Sequence, residues 1–161
     1  MIFDVDGVLT DGRLWYGADG EALKAFDAHD GHGLKMLAAS GVAVALLSGR
    51  RSSAVARRAR ELGIREVHQG VDDKLSVFKK IIKKHRLSAE AAGFMGDELV
   101  DLGVLTRCGL ACAPGEAPAE LRSRAHYVAE AAAGRGAARE VCELLMRAQG
   151  SFDKAVQGYL A

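Results

Sequence analysis

The chain begins with MIFDVDGVLTDG at residues 1–12, an apolar run that is followed by closely spaced acidic side chains. Side chains alternate along a β-strand, so we expect Asp4 and Asp6 on one side and Phe3 and Val5 on the other. Like charges this close repel each other and are costly to bury. The pair therefore indicates a metal ion and a chemical task, and a purely structural turn is the alternative.

The composition is that of a globular domain, with 161 residues, 49% hydrophobic and 27% charged. A formal net charge of +1 argues against a general nucleic-acid binder. There is no apolar run of the roughly 18 residues that a membrane span needs. We also expect no signal peptide, and hence a cytoplasmic protein without a membrane partner. The cysteines lack zinc-site spacing and are expected to be buried thiols: Cys108, Cys112 and Cys142.

Apolar runs typical of strands alternate with periodic segments typical of helices along the chain. The predicted strands are 2–5, 42–47, 66–68, 92–95, 110–113 and 126–128. The predicted helices are 31–39, 53–62, 74–85, 99–106, 118–123 and 137–149. This alternation predicts an α/β fold, in which helices cover both faces of a parallel sheet. We expect a single domain over residues 1–161.

One segment breaks the alternation directly after the acidic pair. Residues 13–16 and 22–26 are short and β-like, and the glycine-containing segment 17–20 between them indicates a hairpin turn. This hairpin flap, near residues 13–26, would stand over the carboxyl end of the first strand, where open α/β sheets bind ligands. The tail near 150–161 has a weak apolar pattern and is expected to dock or to fray.

Three further polar features follow predicted strands and would reach the same sheet edge. Ser48 precedes a predicted helix, and a hydroxyl with backbone N–H groups there suits a phosphate oxygen; an ordinary cap is the alternative. Lys74 begins a helix, where a cation needs an anionic partner unless it is simply a solvated surface lysine. Asp97 and Asp101 would share one helical face, with a solvated acidic turn as the alternative.

Together these residues would place several carboxylates, a lysine and a serine around a crevice at the strand ends. Hard oxygen ligands suit Mg²⁺ better than a softer metal. The chain has no Walker loop, so triphosphate binding of that type is not supported.

The motifs D-x-D-G-V-x-T, S-G-R, an isolated lysine and G-D-x-x-x-D, in this order, resemble the haloacid dehalogenase (HAD) phosphohydrolase superfamily. The closer resemblance is to its 3-deoxy-D-manno-octulosonate 8-phosphate (KDO 8-P) phosphatase family, over nearly the whole chain. Further matching segments are 11–12, 19–21, 24–26, 30–31, 61–64, 70–71, 134–137, 139–142 and 148–150, together with Gly33 and Arg58. The resemblance implies a Rossmann-like three-layer HAD fold whose minimal cap is the hairpin alone.

The resemblance also implies a Mg²⁺-dependent phosphatase that hydrolyses KDO 8-P in lipopolysaccharide biosynthesis. Asp4 would be the nucleophile and form an aspartyl-phosphate. Asp6 would be the general acid for the leaving sugar oxygen and then the base for the attacking water, because a sugar alkoxide needs a proton to leave. Ser48 would hold a phosphoryl oxygen, and Lys74 would offset negative charge.

The implied metal ligands are Asp4, Asp97 and the backbone carbonyl of Asp6. Asp101 would lie behind them and orient Lys74 or a metal-bound water. Mg²⁺ is the only cofactor that the resemblance implies.

Substrate contacts in the resembling family fall on Asp6, Asp27, Ala28, His29, Asp30, Gly31, Lys35, Arg50, Arg58 and Lys74. The cations in this set suit a sugar acid with a carboxylate and a phosphate, although a solvated helix face is the alternative for Lys35 and Arg58. Minimal-cap members form homotetramers in which a neighbour closes the site. The segment 134–137 and the tail could reach that site, and a plain glycine turn is the alternative for 134–137.

Three positions depart from the family pattern: Glu98, His29 and Ala133. None of them is an inferred nucleophile, acid or metal ligand, but His29 bears on which sugar acid is bound, because a histidine is mostly neutral at pH 7. A phosphatase for another nonulosonate, of the sialic type, is one alternative. A non-catalytic oligomerisation module is the other, and the complete set of site residues argues against it.

Overall fold

The structure is a computed structural model that describes residues 1–160, and its centre is a six-stranded sheet. The strands are β1 (Ile2–Phe3), β2 (Trp15–Gly17), β3 (Gly20–Leu23), β4 (Ala45–Leu47), β5 (Glu66–His68), β6 (Gly93–Met95), β7 (Leu110–Ala113) and β8 (Tyr127–Val128). The sheet has the order β5-β4-β1-β6-β7-β8, and all neighbouring strands in it are parallel. The predicted parallel sheet is thus confirmed, with several strands shorter than predicted.

Within residues 1–160, seven α-helices connect or flank these strands. They are α1 (Ala28–Ala39), α2 (Ser53–Leu62), α3 (Lys74–Lys84), α4 (Leu102–Leu105), α5 (Ala119–Arg122), α6 (Ala137–Ala148) and α7 (Phe152–Gln157), with 3₁₀ turns at Ala89–Ala91 and Leu99–Asp101. Helix α1 begins earlier than predicted because the Asp27 side chain accepts the backbone N–H groups of His29 at 2.6 Å and Asp30 at 3.0 Å.

Two apolar clusters lie on opposite faces of the sheet and make the fold three-layered. On one face, Phe3 and Val5 pack with buried side chains of α1, α2 and α6. On the other, Ile2 and Phe94 pack with α3, α4 and α5. This sidedness follows from the alternation of side chains along each strand, and it leaves the polar residues at the strand ends outside both clusters.

The predicted hairpin flap is present as the antiparallel pair β2 and β3, separate from the main sheet. Gly20, the first residue of β3, has a φ of +110°, a conformation that glycine adopts readily at the turn. Most apolar side chains of the hairpin are exposed: Leu14, Trp15, Tyr16 and Leu23. The flap therefore has no apolar core of its own.

The chain's tail packs back on the same molecule. The Arg147 guanidinium lies 3.7 Å from the centre of the Phe152 ring, and the rings of His32 and Tyr159 are 5.5 Å apart. Ala161, the last residue of the predicted tail, lies outside the described residues. Within residues 1–160, none of the helices combines the length and the apolarity needed to cross a membrane.

Candidate active site

A crevice of about 420 Å³ opens at the carboxyl ends of β1, β4 and β6. Parallel strands bring their following loops to one edge of the sheet, as the sequence predicted for this site. The predicted site residues that line the crevice are Asp4, Asp6, Ser48, Arg50, Lys74 and Asp97.

Lys74 lies buried in the crevice wall, with only 5% of its side chain exposed. Its ammonium donates to Asp4 Oδ2 and, at 2.6 Å, to Asp101 Oδ1. Burial would lower the pKa of Lys74, but the charges of these two carboxylates raise it above the ordinary value, so the side chain stays a cation. The anionic partner expected for a cation at a helix start is therefore present.

Asp101 supports the site from behind. Its Oδ2 accepts the backbone N–H groups of Asp97 at 3.0 Å and Glu98 at 3.2 Å, while its Oδ1 is taken by Lys74. The expectation that Asp97 and Asp101 share one helical face is wrong, because Asp97 precedes the 3₁₀ turn and Asp101 folds back onto its backbone. A side chain at Gly96 would collide with the Asp101 carboxylate, so this close approach requires glycine.

Asp97 carries a buried oxygen, Oδ1, without a hydrogen-bond partner in the described part of the chain. Burial, followed by the charges of Asp4 and Asp101, raises the pKa of Asp97 to about 8. Gly7 has a φ of +74°, and a side chain there would overlap the Asp97 carboxylate. The fold thus brings this carboxylate close to the backbone and leaves one of its oxygens free.

Asp4 is also almost fully buried. Its Oδ1 accepts the N–H of Val5 at 2.6 Å, and its Oδ2 accepts from Lys74. Burial raises the pKa of Asp4 to about 6, an effect that the Lys74 charge partly opposes. Near neutral pH the carboxylate is accordingly ionised beside its cation.

The carboxylates of Asp4, Asp97 and Asp101 each offer an oxygen within 4.8 Å of the others, which suits a divalent cation. Asp4 and Asp97 line the crevice and Asp101 does not, so Asp4 and Asp97 are the side chains placed to hold a metal. The buried, unpartnered oxygen of Asp97 lies beside a second carboxylate, which is the donor set that a divalent cation would need. These residues fit Mg²⁺, a hard cation that prefers oxygen ligands.

Ser48 lines the crevice with its hydroxyl, whose Oγ accepts the N–H of Arg50 at 3.2 Å. The alternative that Ser48 is an ordinary helix cap is wrong, because Ser52 holds the cap position and α2 begins at Ser53, as predicted. The loop between Ser48 and α2 is bonded to the loop after β5, since the Gln69 side chain accepts the N–H of Ser52 at 2.8 Å. The hydroxyl therefore faces the site without a helix terminus behind it.

Several relatives with a known structure or name share this architecture. Residues 66–141 match the family model described as haloacid dehalogenase-like hydrolase. The chain is 43% identical over 155 residues to the KDO 8-P phosphatase KdsC of Escherichia coli K12, which covers 96% of this chain and 82% of the relative. The chain belongs to the KDO 8-P phosphatase family.

Solved structures of this family superpose closely on the chain. The KDO 8-P phosphatase of Moraxella catarrhalis, in complex with a magnesium ion, a phosphate ion and KDO, has a TM-score of 0.95 at 38% identity, covering 98% of this chain and 91% of that one. A probable YrbI family phosphatase from Pseudomonas syringae has a TM-score of 0.97 at 48% identity, covering 99% and 91%. The predicted fold and family are both confirmed.

Some residues that the family resemblance assigned to substrate do not line the crevice of this phosphatase-family chain: Asp27, Ala28, His29, Asp30, Gly31, Lys35 and Arg58. Asp27 caps α1, and its carbonyl accepts from Arg58 Nη2 at 3.3 Å. The carboxylate of Asp30 is buried and accepts the N–H groups of Gly136 at 3.1 Å and Arg139 at 2.8 Å. Within one chain, Asp27, Asp30 and Arg58 thus hold α1, α2 and α6 together.

Three residues of the flap contact the site but were not predicted from the sequence. Lys24 forms an ion pair with Asp6, Glu21 lies 3.4 Å from Lys24, and Tyr16 accepts from Arg50 Nη2 at 2.8 Å. The signal available was the match of segment 24–26 to the family pattern. No local periodicity indicates that a lysine on the flap reaches back to Asp6.

A second cavity of about 480 Å³ adjoins the crevice across Gly7 and Asp97. The loop before α6 forms its far wall, where Ala132, Ala133 and Arg135 line the space. That loop is fixed to the loop after β1, because the N–H of Gly134 donates to the carbonyl of Val8 at 3.0 Å. The predicted role of segment 134–137 as a plain turn or a contact to a neighbour stays a prediction.

Proposed function

We propose that this chain is a Mg²⁺-dependent phosphomonoesterase that hydrolyses KDO 8-P to KDO and phosphate through an aspartyl-phosphate on Asp4. The observation that carries the proposal is the buried Lys74, which joins Asp4 to Asp101 next to the unpartnered oxygen of Asp97. This arrangement supplies a charged nucleophile, a fixed cation and room for a divalent metal within one crevice. Family membership supports the same activity.

Asp4 acts as the nucleophile. Its carboxylate is held by Lys74 and by the N–H of Val5, so its direction is set before substrate arrives. The bond from a carboxylate oxygen to phosphorus forms as the bond from phosphorus to the sugar oxygen breaks. Water then attacks the aspartyl-phosphate, which releases phosphate and restores the carboxylate.

Asp6 transfers protons on the other side of the phosphoryl group. It lines the same crevice as Asp4, as the alternation along the first strand predicts. In the first half-reaction Asp6 gives a proton to the leaving sugar oxygen. In the second, it takes a proton from the attacking water, and the cycle closes.

Ser48, Lys74 and Arg50 bind the negative charge of the substrate. The Ser48 hydroxyl holds a phosphoryl oxygen, and the Lys74 ammonium offsets the charge that Asp4 and the phosphoryl group bring together. The Nε of Arg50 is buried without a hydrogen-bond partner in the described residues, which leaves it a donor for a substrate oxygen.

Mg²⁺ would be held by the carboxylates of Asp4 and Asp97 and by the backbone carbonyl of Asp6, with Asp101 orienting Lys74 behind them. When bound, the ion neutralises charge at the phosphoryl oxygens and so allows two anions to approach each other. Related phosphatases are known in complex with magnesium and in a cobalt-bound form.

The active form is a cytoplasmic homotetramer in which a neighbour completes the substrate site. Exposed apolar side chains on the flap, including Trp15 and Leu23, support an association surface beside the crevice. The residues around the start of α1, such as His29 and Lys35, then act on a neighbour's crevice. Light scattering on the purified protein tests this, and a monomer with full activity contradicts it.

Phosphate release from KDO 8-P, measured with Mg²⁺ and with EDTA, tests the function. We expect turnover that EDTA abolishes and that excess Mg²⁺ restores. A sialic-type nonulosonate phosphate that is hydrolysed with a higher kcat/KM would instead identify the alternative substrate. No release from any sugar-acid phosphate would favour the oligomerisation module and overturn the proposal.

A further inference from the structure

Lys24 is buried although it lies on the exposed flap. Only 1% of its side chain is accessible, and its ammonium contacts Asp6 Oδ1 and lies 3.4 Å from Glu21 Oε2. Burying an ammonium group is costly unless carboxylates surround it, and here two do. The flap therefore directs a cation inward, onto the residue that the proposed reaction uses for proton transfer.

A second cation extends this contact into a network between the flap and the sheet edge. Arg50 Nη2 donates to the hydroxyl of Tyr16 at 2.8 Å and lies 3.6 Å from Glu21 Oε2. We call Asp6, Tyr16, Glu21, Lys24 and Arg50 the flap network. It joins the hairpin to the loops that follow β1 and β4, which carry Asp6 and Arg50.

The flap depends on this network for its position. Its strands have three and four residues, and a two-stranded hairpin of that kind is at best marginally stable by itself. Its apolar side chains are mostly exposed, so packing on the domain does not hold it in place. Within one chain, the polar contacts of Lys24 and Arg50 therefore determine the position of the hairpin.

We infer that Lys24 is a positioning residue for phosphate-ester hydrolysis: its ammonium holds Oδ1 of the Asp6 carboxyl group and leaves Oδ2 to carry the proton that passes to the leaving-group oxygen. The inference rests on the proposed role of Asp6. Direct binding of a substrate anion by Lys24 is disfavoured, because its ammonium is buried between two carboxylates that would repel the anion.

Leaving-group chemistry separates a positioning role from a merely structural one. The sugar oxygen of KDO 8-P needs a proton to leave, whereas the nitrophenolate of p-nitrophenyl phosphate does not. Misplacing Asp6 should therefore slow the first substrate much more than the second. A general loss of structure would slow both equally.

The experiment measures kcat and KM of the full-length protein with Mg²⁺ on both substrates. For Lys24→Met we expect kcat on KDO 8-P to fall at least about 10-fold, with less than about threefold loss on p-nitrophenyl phosphate. Lys24→Arg keeps the charge and should recover part of the loss. Lys79→Met removes an exposed lysine from α3 and serves as the matched control.

Asp6→Asn is the reference that separates the two claims. It should lose about 100-fold or more on KDO 8-P and much less on the aryl phosphate. If Asp6→Asn is not selective, the proposed role of Asp6 fails, and the inference fails with it. If Asp6→Asn is selective while Lys24→Met is unchanged, equally slow on both substrates or altered only in KM, the inference alone is overturned. Should Lys24→Met not fold, the same selectivity is required of Lys24→Arg.

Discussion

Two buried aspartates, Asp97 and Asp30, differ in the hydrogen-bond partners of their carboxylate oxygens. Burial raises the pKa of both. Asp30 accepts N–H groups from Gly136 and Arg139, so backbone donors satisfy both of its oxygens. Asp97 faces Asp4 and Asp101 and keeps one oxygen without a partner in the described chain. A buried carboxylate bonded by the backbone holds elements together, whereas one left among other carboxylates is available to a cation.

The same difference separates the crevice from the start of α1. In the crevice, the carboxylate of Asp4 and the ammonium of Lys74 are charged groups that a metal ion or a substrate can contact. Around α1, Asp27 caps the helix and Arg58 donates to a backbone carbonyl. Both regions match the family pattern, but within residues 1–160 the residues of the first line a crevice and those around α1 bond to neighbouring helices.

The strongest way to test the crevice side of this comparison is Asp4→Asn. We expect kcat for KDO 8-P to fall about 10³-fold or more, because an amide cannot form the acyl-phosphate. The melting temperature should not fall, because burial and the nearby Asp101 disfavour the Asp4 charge and Lys74 keeps Asp101 as its partner. Circular dichroism and phosphate release measure the two effects, and normal turnover would exclude Asp4 as the nucleophile.

Asp97→Asn should have the next largest effect. We expect activity with Mg²⁺ to fall about 100-fold or more, because a metal contributes several kcal/mol of charge stabilisation. The rise in melting temperature that Mg²⁺ gives the wild type should shrink or vanish in this variant. An unchanged response to Mg²⁺ would show that Asp97 is not a metal ligand.

Asp30→Asn tests the opposite side of the comparison. The amide leaves one backbone N–H of α6 without an acceptor, so we expect a loss of about 1–3 kcal/mol of unfolding free energy. Activity well below the melting temperature should stay within about threefold, because Asp30 does not line the crevice. The exposed Asp153→Asn is the control for removing a carboxylate. Lost activity in a fully stable Asp30→Asn protein would return Asp30 to the substrate site.

The smallest expected effect is a pH dependence of metal-free stability. The pKa of Asp97 in the folded protein, about 8, lies above the ordinary value, so the folded state binds this proton more tightly than the unfolded state does. The contribution of this proton to the free energy of unfolding is present at low pH and is lost as pH rises through about 8. Without metal, the melting temperature of Asp97→Asn relative to the wild type should therefore rise by at least about 5 °C between pH 6 and pH 9. Excess Mg²⁺ should remove the difference, and a gap that is independent of pH would contradict the raised pKa.

The parallel sheet and the strand-end crevice could be predicted because they depend on local patterns. Alternation of apolar and acidic residues predicts Asp4 and Asp6 on one side, and both line the crevice just after β1. Strand-to-helix alternation brings Ser48, Lys74 and Asp97 to the same edge. Helix boundaries were less predictable where a polar side chain caps the helix, because an apolar pattern does not record the cap. Helix α2 has its predicted bounds, but α1 begins three residues early, where the Asp27 side chain accepts the N–H groups of His29 and Asp30.

The sequence by itself determined the α/β fold, the acidic pair and the need of Lys74 for an anionic partner, because strand periodicity and helix electrostatics act over a few residues. Only the tertiary structure decided that Asp101 is that partner beside Asp4, that Lys24 reaches back to Asp6, and that Asp30 bonds to α6 instead of lining the crevice. These contacts join residues far apart in the chain. Their formation depends on how the layers pack, which no local pattern encodes.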